Sequence, residues 1–468
     1  MTTTLSLQDN PLQSYFERFT EYLSSAVFYS FDLPGGAQLP LVLVWLISGA
    51  LVCTFGLKFI NLRGFKHAAG LLKSNRKTGD AGQISPYQAL STALSGTVGT
   101  GNIAGVALAI GLGGPGATFW MIIAGFLGMS TKFVECTLAV KYRQVNSDGS
   151  VNGGPMYYIQ AALGKIGFAG TGKVLSIFFC IACIFGAAGF VHVNQAFVQV
   201  KTVTGFDNAL LFGSIYAFFV AIVVVGGIKS IARVTSHLVP LMCAVYLSAA
   251  LLVIFWHITE IPQAFYLIIK SAFAPEAAYG GAIGVMIQGF RRAAYSNEAG
   301  LGSSPIAHAA SQTKDPVSQG FIALLEPFID TVVICTITAL VIIVTGAYLE
   351  PGDGVEMTSN AFASVFSWFP WLLMVSLLLF GYTTVIGWFY YGLSSFRYIF
   401  GQKKVFSYLY KIIFCFIVAF GAIPNVLAVF NFIDSMIFLM SVPNILALYL
   451  LLPEVRADLK DYIKRHNI

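Results

Sequence analysis

Two stretches hold residues whose types and spacing could bind an ion or a small zwitterion inside an apolar chain. The first, STALSGTVGTGNIAGVALAIGLGG (residues 91–114), sets Gly96, Gly99, Gly101, Gly105 and Gly111 among Thr97, Thr100 and Asn102 in an otherwise apolar run. The second, YGGAIGVMIQGFRRAAYSNEAGLGSSPIAHAA from Tyr279, is again rich in glycine and polar inside. A glycine within a helix costs roughly 0.5–1 kcal/mol relative to alanine. In hydrocarbon an unpaired backbone group is costly as well, so an unwound stretch persists only where it lines a protein cavity. Amides freed at a half-helix N-terminus suit a carboxylate, and freed carbonyls suit Na⁺. Close helix packing is the alternative, since Gly101 and Gly105 have the GxxxG spacing. It leaves the clustered threonines and asparagine unexplained.

These stretches need a membrane around them, and the composition supplies it. Of 468 residues, 57% are hydrophobic and 10% charged, and the mean hydropathy is +0.76. Soluble domains carry about 25% charged residues. Eleven apolar runs long enough to cross a bilayer lie near 39–60, 86–112, 117–141, 173–202, 209–228, 235–258, 277–310, 319–348, 368–397, 404–424 and 428–452. The expected fold is an all-α polytopic membrane protein with eleven transmembrane helices.

Charge sets the expected sidedness. The first apolar run follows Asp9, Glu17, Glu21 and Asp32 against Arg18 alone, which is unlike a cleavable signal. The next loop carries Lys58, Arg63, Lys66, Lys73, Arg76 and Lys77. The positive-inside tendency then places residues 1–38 outside, 61–85 inside and the tail 453–468 in the cytoplasm. Lys141 and Arg143, Lys229 and Arg233, and Arg397, Lys403 and Lys404 fall on the same inner side, whereas loop 349–367 holds Glu350, Asp353 and Glu356 without a base. The net charge of +6 is thus a topology signal spread over loops, and no nucleic-acid partner is expected. All seven cysteines fall in apolar runs, the CxxC of Cys180 and Cys183 has no second pair, the histidines lack zinc spacing, and no P-loop is present. No cofactor or catalytic metal is expected.

With the first run (39–60) set aside as an extra helix, ten remain. The two interrupted segments then open two five-helix halves, 86–258 and 277–452. Five is odd, so the halves run in opposite orientation. Discontinuous helices at matching positions of an inverted repeat mark a midplane binding site in secondary transporters.

The residues of the first break now match a known pattern. VGTGN (Val98–Asn102) resembles the VGxGN of the broken first helix in neurotransmitter–sodium symporters. GTGNIAGVALAIGLGGPGATFWM, NGGPMYYI, SNEAGLGSSPIAHAA and LEPFIDTVVICT, in that order, resemble the alanine/glycine:cation symporter family of the amino acid–polyamine–organocation superfamily. The resemblance covers about residues 40–450. It implies a 5+5 inverted-repeat core with discontinuous first and sixth helices, and sodium-coupled uptake of small neutral amino acids.

Site roles carried over by the resemblance are these. Backbone amides at Thr100, Gly101 and Asn102 would hold the substrate carboxylate, with the Asn102 side chain and Gly105 completing that wall. Gly289 and Phe290 of the second interrupted segment join the expected substrate set, and Trp388 would close the pocket, unless its indole only packs or faces lipid. Carbonyls of Ser95 and Val98 would meet Na⁺ with the hydroxyls of Thr383 and Thr384, hard donors at mid-span. Threonines in membrane helices also bond their own i−4 carbonyl. Family members commonly read GNMVQxN where this chain reads AGFVHVNQ (188–195), so His192 stands where a glutamine is expected while Asn194 is kept. A histidine there admits pH sensitivity, or a purely structural role.

The remaining intramembrane charges need partners. Arg291, Arg292 and Glu298 are read as lying past Gly289 toward the cytoplasmic end, and with Glu326, Asp330, Lys132 and Glu135 they are expected to form an inner-gate ion-pair network, with ion ligation as the alternative. Residues 152–164 suggest an interfacial helix after a turn, with a structural role. The expected function is sodium-coupled symport of alanine, glycine or serine by alternating access in the inner membrane, without chemical change of the substrate. Proton coupling through His192 or a buried acid is the alternative, and a channel or sensor on the same scaffold is a third reading. A channel would want repeated filter loops, and a sensor a soluble domain.

Overall fold

The computed structural model describes residues 11–33, 36–73, 81–147, 149–273, 281–350, 354–423 and 427–467. Asp9, Arg76, Lys77, Asp353 and the first residues of the second interrupted segment (277–280) lie outside them.

The described chain opens with an amphipathic helix. Helix α1 (Pro11–Val27) leads through a short antiparallel pair, β1 (Ser30–Asp32) and β2 (Gln38–Pro40), into the apolar α2 (Leu41–Gly56). Pro40 stops the strand and precedes the first turn of α2, where its missing N–H costs nothing. Two short helices, α3 (Ile60–Arg63) and α4 (Phe65–Lys73), follow.

The first half of the core begins at α5 (Pro86–Thr97). Ser85 caps it with a reciprocal box, Ser85 Oγ accepting from Gln88 N and Gln88 Oε1 from Ser85 N. After a single 3₁₀ turn (Thr100–Asn102) the chain resumes as α6 (Ala104–Gly113), bent by 59° from α5. Helix α7 (Ala117–Lys141) returns, and a hairpin of β3 (Gln144–Val145) and β4 (Val151–Asn152) precedes α8 (Pro155–Lys165), the short helix expected at 152–164. Then come α9 (Ala169–Gly186), α10 (Phe190–Thr204), α11 (Ala209–Val225) and α12 (Gly227–Trp256). Gly189, at φ +70°, interrupts the helix between α9 and α10, which together still make one apolar stretch long enough to cross a membrane.

The remainder of the chain carries the second interrupted segment. Helix α13 (Ile261–Phe273) leads to α14 (Gly281–Asn297), an irregular stretch, and α15 (Pro305–Ala309). Helix α16 (Pro316–Pro327) passes into a π-helical segment (Phe328–Cys335) and then α17 (Thr336–Val344). Widened turns of this kind are rare and collect at functional sites. Helix α18 (Gly354–Ala363) caps this end, and α19 (Phe369–Phe400), α20 (Lys404–Phe420), α21 (Leu427–Leu439) and α22 (Ser441–His466) complete the chain.

Among the described residues, six helical stretches are long and apolar enough to cross a membrane, the bent α5–α6 pair makes a seventh, and α2 and α11 are shorter apolar helices. The chain is a mostly helical, polytopic membrane protein.

Packing explains where the small residues lie. Gly49 and Gly56 of α2 press against Ile445 and Leu452 of α22, docking the extra helix beside the core. Buried α7, α14 and α16 lie at the centre, whereas α11 and α20 expose Phe218, Ile222, Ile412 and Phe416 as a lipid-facing surface.

Candidate functional site

The first break is made by hydrogen bonds that leave the helix ladder. Gly99 N–H, which would close a turn onto Ser95, is donated to Asn102 Oδ1 at 2.7 Å. Asn102 N–H, which would close onto Val98, goes to Gly99 O at 3.2 Å. The carbonyls of Ser95 and Val98 thereby lose their i+4 donors. Val98 itself leaves helical geometry (ψ 99°), and both residues are wholly buried. The N–H groups of Thr100 and Gly101 start the new turn and have no intrahelical acceptor.

Helix α19 runs alongside this opening. A β-carbon at Gly99 would sit 2.9 Å from Thr384 Oγ1, and one at Gly387 would sit 2.7 Å from Ser95 Oγ. The glycines let the two helices touch where the carbonyls are freed. Thr384 Oγ donates to Phe380 O at 2.9 Å, and Thr383 Oγ donates to the same carbonyl at 3.1 Å. Each hydroxyl keeps acceptor capacity after donating. Thr384 faces the break; Thr383 also reaches Met242 Sδ on α12, 3.4 Å away.

A second wall is polar on one side and open on the other. Helix α10 crosses α19 where a β-carbon at Gly381 would lie 3.2 Å from His192 O. That crossing carries the His192 ring to Thr100, with Nδ1 3.3 Å from Thr100 Oγ1. Tyr295 approaches the break from α14, 3.6 Å from a β-carbon built on Gly101. One turn further on, buried Gly105 has open space: a β-carbon there would meet no neighbour within 4 Å. Thr100, Gly101, Gly105 and His192 are therefore brought together.

Other expected ligands sit elsewhere. The Asn102 side chain is spent on structure, its Nδ2 donating to Asp330 Oδ1 at 2.7 Å, Asp330 O at 3.1 Å and Ser296 Oγ at 3.1 Å. Gly289 and Phe290 pack toward α7. A β-carbon at Gly289 would be 2.6 Å from Ala117 O, and the Phe290 ring lies 6.2 Å from Trp120. Gly289 is small for that close helix contact rather than for a ligand. Trp388 donates from Nε1 to Glu298 Oε1 at 3.2 Å, so its indole is anchored at the second break.

The second break is held by the buried charges. Helix α14 continues through Gly289 to Asn297 and opens only at Glu298, which takes a left-handed backbone (φ +55°), followed by Gly300 and Gly302 at φ +90° and +85°. Arg291 and Arg292 lie past Gly289, as expected, but within α14 and before this opening. Arg291 lies 5.5 Å over the Phe28 ring. Glu298 accepts from Ser303 Oγ as well as from Trp388. Asn444 Nδ2 donates to Gly300 O at 2.8 Å and to Glu135 Oε1 at 2.5 Å. Lys132 donates to Ser304 Oγ at 2.5 Å and pairs with Glu326 at 3.0 Å, both side chains fully buried. Buried charges need such partners. They brace the unwound stretch 298–304 from α7, α16 and α22.

Sequence reasoning missed Asp330, Ser296 and Tyr295 as neighbours of the first break. SNEAGLG and LEPFIDT contain the first two, but nothing in their spacing says which broken helix they serve.

Known proteins share this plan. The chain is 39% identical over 432 residues to the sodium/alanine symporter AgcS of Methanococcus maripaludis, covering 90% of this chain and 94% of that protein. It is 35% identical over 347 residues to the amino-acid carrier protein AlsT of Bacillus subtilis, covering 72% and 71%. The fold is similar to that of MhsT, solved in complex with L-phenylalanine, with a TM-score of 0.54 at 15% identity, covering 79% of this chain and 88% of that one. The profile of the sodium:alanine symporter family matches residues 33–467, and the chain belongs to that family: it is a multi-pass membrane transporter, not an enzyme.

Proposed function

We propose that the protein couples the entry of Na⁺ to the uptake of small neutral amino acids, alanine, glycine and serine, by alternating access. The observation that carries this reading is the meeting of Thr384 Oγ1 with Gly99 beside the carbonyls of Ser95 and Val98, which have lost their ladder donors. Hard oxygens from two helices, in a dry site, suit a small cation. The name of AgcS, a sodium/alanine symporter, supports the same ion and substrate. The substrate carboxylate lies against the Thr100 and Gly101 amides, with its side chain toward the open space at Gly105. Na⁺ beside the break pulls the carbonyls of α5 and the hydroxyls of α19 together, so its departure loosens the contact between the two halves.

The protein lies in the inner membrane with its amino terminus outside and its basic loops in the cytoplasm. Counterflow of labelled alanine in proteoliposomes, with Na⁺ or choline outside, tests the proposal. Exchange in Na⁺ only is the expected result. Equal accumulation in choline under a pH gradient would replace Na⁺ with a proton and sink the reading.

A further inference from the structure

The basic segments that predict one face of the membrane meet around a cavity of about 220 Å³. Its walls come from the β3–β4 hairpin, the junction of α11 and α12, the end of α19 and the middle of α20. Lys229, Arg397 and Lys411 all line it, with Asn146, Asn152 and Gln402 among the neutral groups. None of its described lining residues is acidic. A recess bounded by one sign of charge focuses that field and collects counter-ions.

Two of the cations are fixed in place by neutral partners. Arg397 Nε donates to Ser407 Oγ at 2.8 Å, and Lys411 Nζ donates to Val225 O at 2.8 Å. Their charges lie close enough to repel each other. Capping the carboxyl end of α11 explains one donor of Lys411, but not why Arg397 and Lys229 share its cavity. Like charges held together in this way call for an anion.

The approach to the cavity says which anion. Helix α20, which supplies Lys411, and α11, whose last carbonyl Lys411 binds, present Tyr408, Ile412 and Phe416, and Phe218 and Ile222, outward as a lipid-facing surface. Lys411 lies on the same helix as that apolar strip, one residue before Ile412. The geometry points to a site for the phosphate of an anionic lipid headgroup, whose acyl chains run along α11 and α20 while the phosphate meets Arg397, Lys411 and Lys229. Basic pockets between transmembrane helices hold such headgroups, and arginine is well suited to phosphate. That the leaflet is cytoplasmic rests on the orientation proposed above; the binding itself does not.

Native mass spectrometry of the full-length protein tests this without reference to transport. Detergent-solubilised protein is titrated with phosphatidylglycerol, with phosphatidylcholine and with inorganic phosphate. Phosphatidylglycerol should bind in preference to phosphatidylcholine, and Arg397→Gln and Lys229→Gln should each weaken that binding about fivefold. The Lys229 side chain is exposed, so its variant tests the site even if Arg397→Gln fails to fold. Equal binding of the two lipids, or unchanged binding in the Lys229 variant, overturns the site. Inorganic phosphate displacing the lipid at low concentration overturns the lipid as its occupant.

Discussion

Asn102 Nδ2 donates to Asp330 Oδ1 across 2.7 Å, joining residues 228 positions apart and tying the first break to the π-helical segment. Its Oδ1 meanwhile accepts the Gly99 N–H, so one side chain holds the helix open and anchors it. Asn102→Ala leaves a buried carboxylate and a buried amide each one partner short. A hydrogen bond to a charged group contributes about 1.5–3 kcal/mol. We expect the thermal unfolding midpoint of the purified protein to fall along with transport. Lost transport at an unchanged midpoint would make Asn102 a ligand and not a brace.

Thr384→Val keeps the shape of the side chain and removes the oxygen facing Gly99. Among the described residues its hydroxyl donates to Phe380 O, within its own helix, so folding should hold. The apparent Na⁺ affinity for alanine uptake should fall on the order of tenfold, the scale of one lost contact to a charge. Unchanged sodium dependence removes Thr384 from the site.

Gly105→Ala separates stability from function. A β-carbon meets nothing within 4 Å, and alanine is the better helix former by roughly 0.5–1 kcal/mol. The variant should unfold at the same temperature or higher. The methyl group takes space assigned to the substrate side chain, so serine should lose more uptake than glycine. Equal loss for every substrate would place the pocket elsewhere.

His192 meets Thr100 at 3.3 Å and is half-buried beside the proposed carboxylate site. His192→Gln should change the ranking of alanine, glycine and serine in competition assays while the sodium dependence stays as it was. No change in ranking would leave the histidine as packing between α10 and the turn at Thr100.

Lys132 and Glu326 form a pair with both side chains fully buried, 3.0 Å apart. Lys132→Met strands the carboxylate, and breaking one side of such a pair costs about 3–5 kcal/mol. Adding Glu326→Gln should restore much of the lost thermal stability. If the double variant is no more stable than the single one, the pair is not what braces residues 298–304.

Much of this protein could be read from residue order. The bilayer follows from composition, because 10% charged residues cannot coat a soluble chain of this length. The first break is equally local: Gly96, Gly99 and Gly101 weaken the ladder, and Asn102 lies three residues from the amide it caps. Adjacent Thr383 and Thr384 announce hydroxyls at mid-span for the same reason, since they are neighbours in one helix. Tertiary structure decided what meets those groups. Gly289 could be read as an opening like Gly99, yet it serves contact with Ala117, because a glycine permits both a bend and a close approach. Trp388 could be a lid, but Glu298 holds its indole. Asp330 could belong to a gate, but it accepts from Asn102 in the first break. A backbone break depends on conformational preferences within a few residues, whereas the partner of a buried charge depends on which helices fold against it.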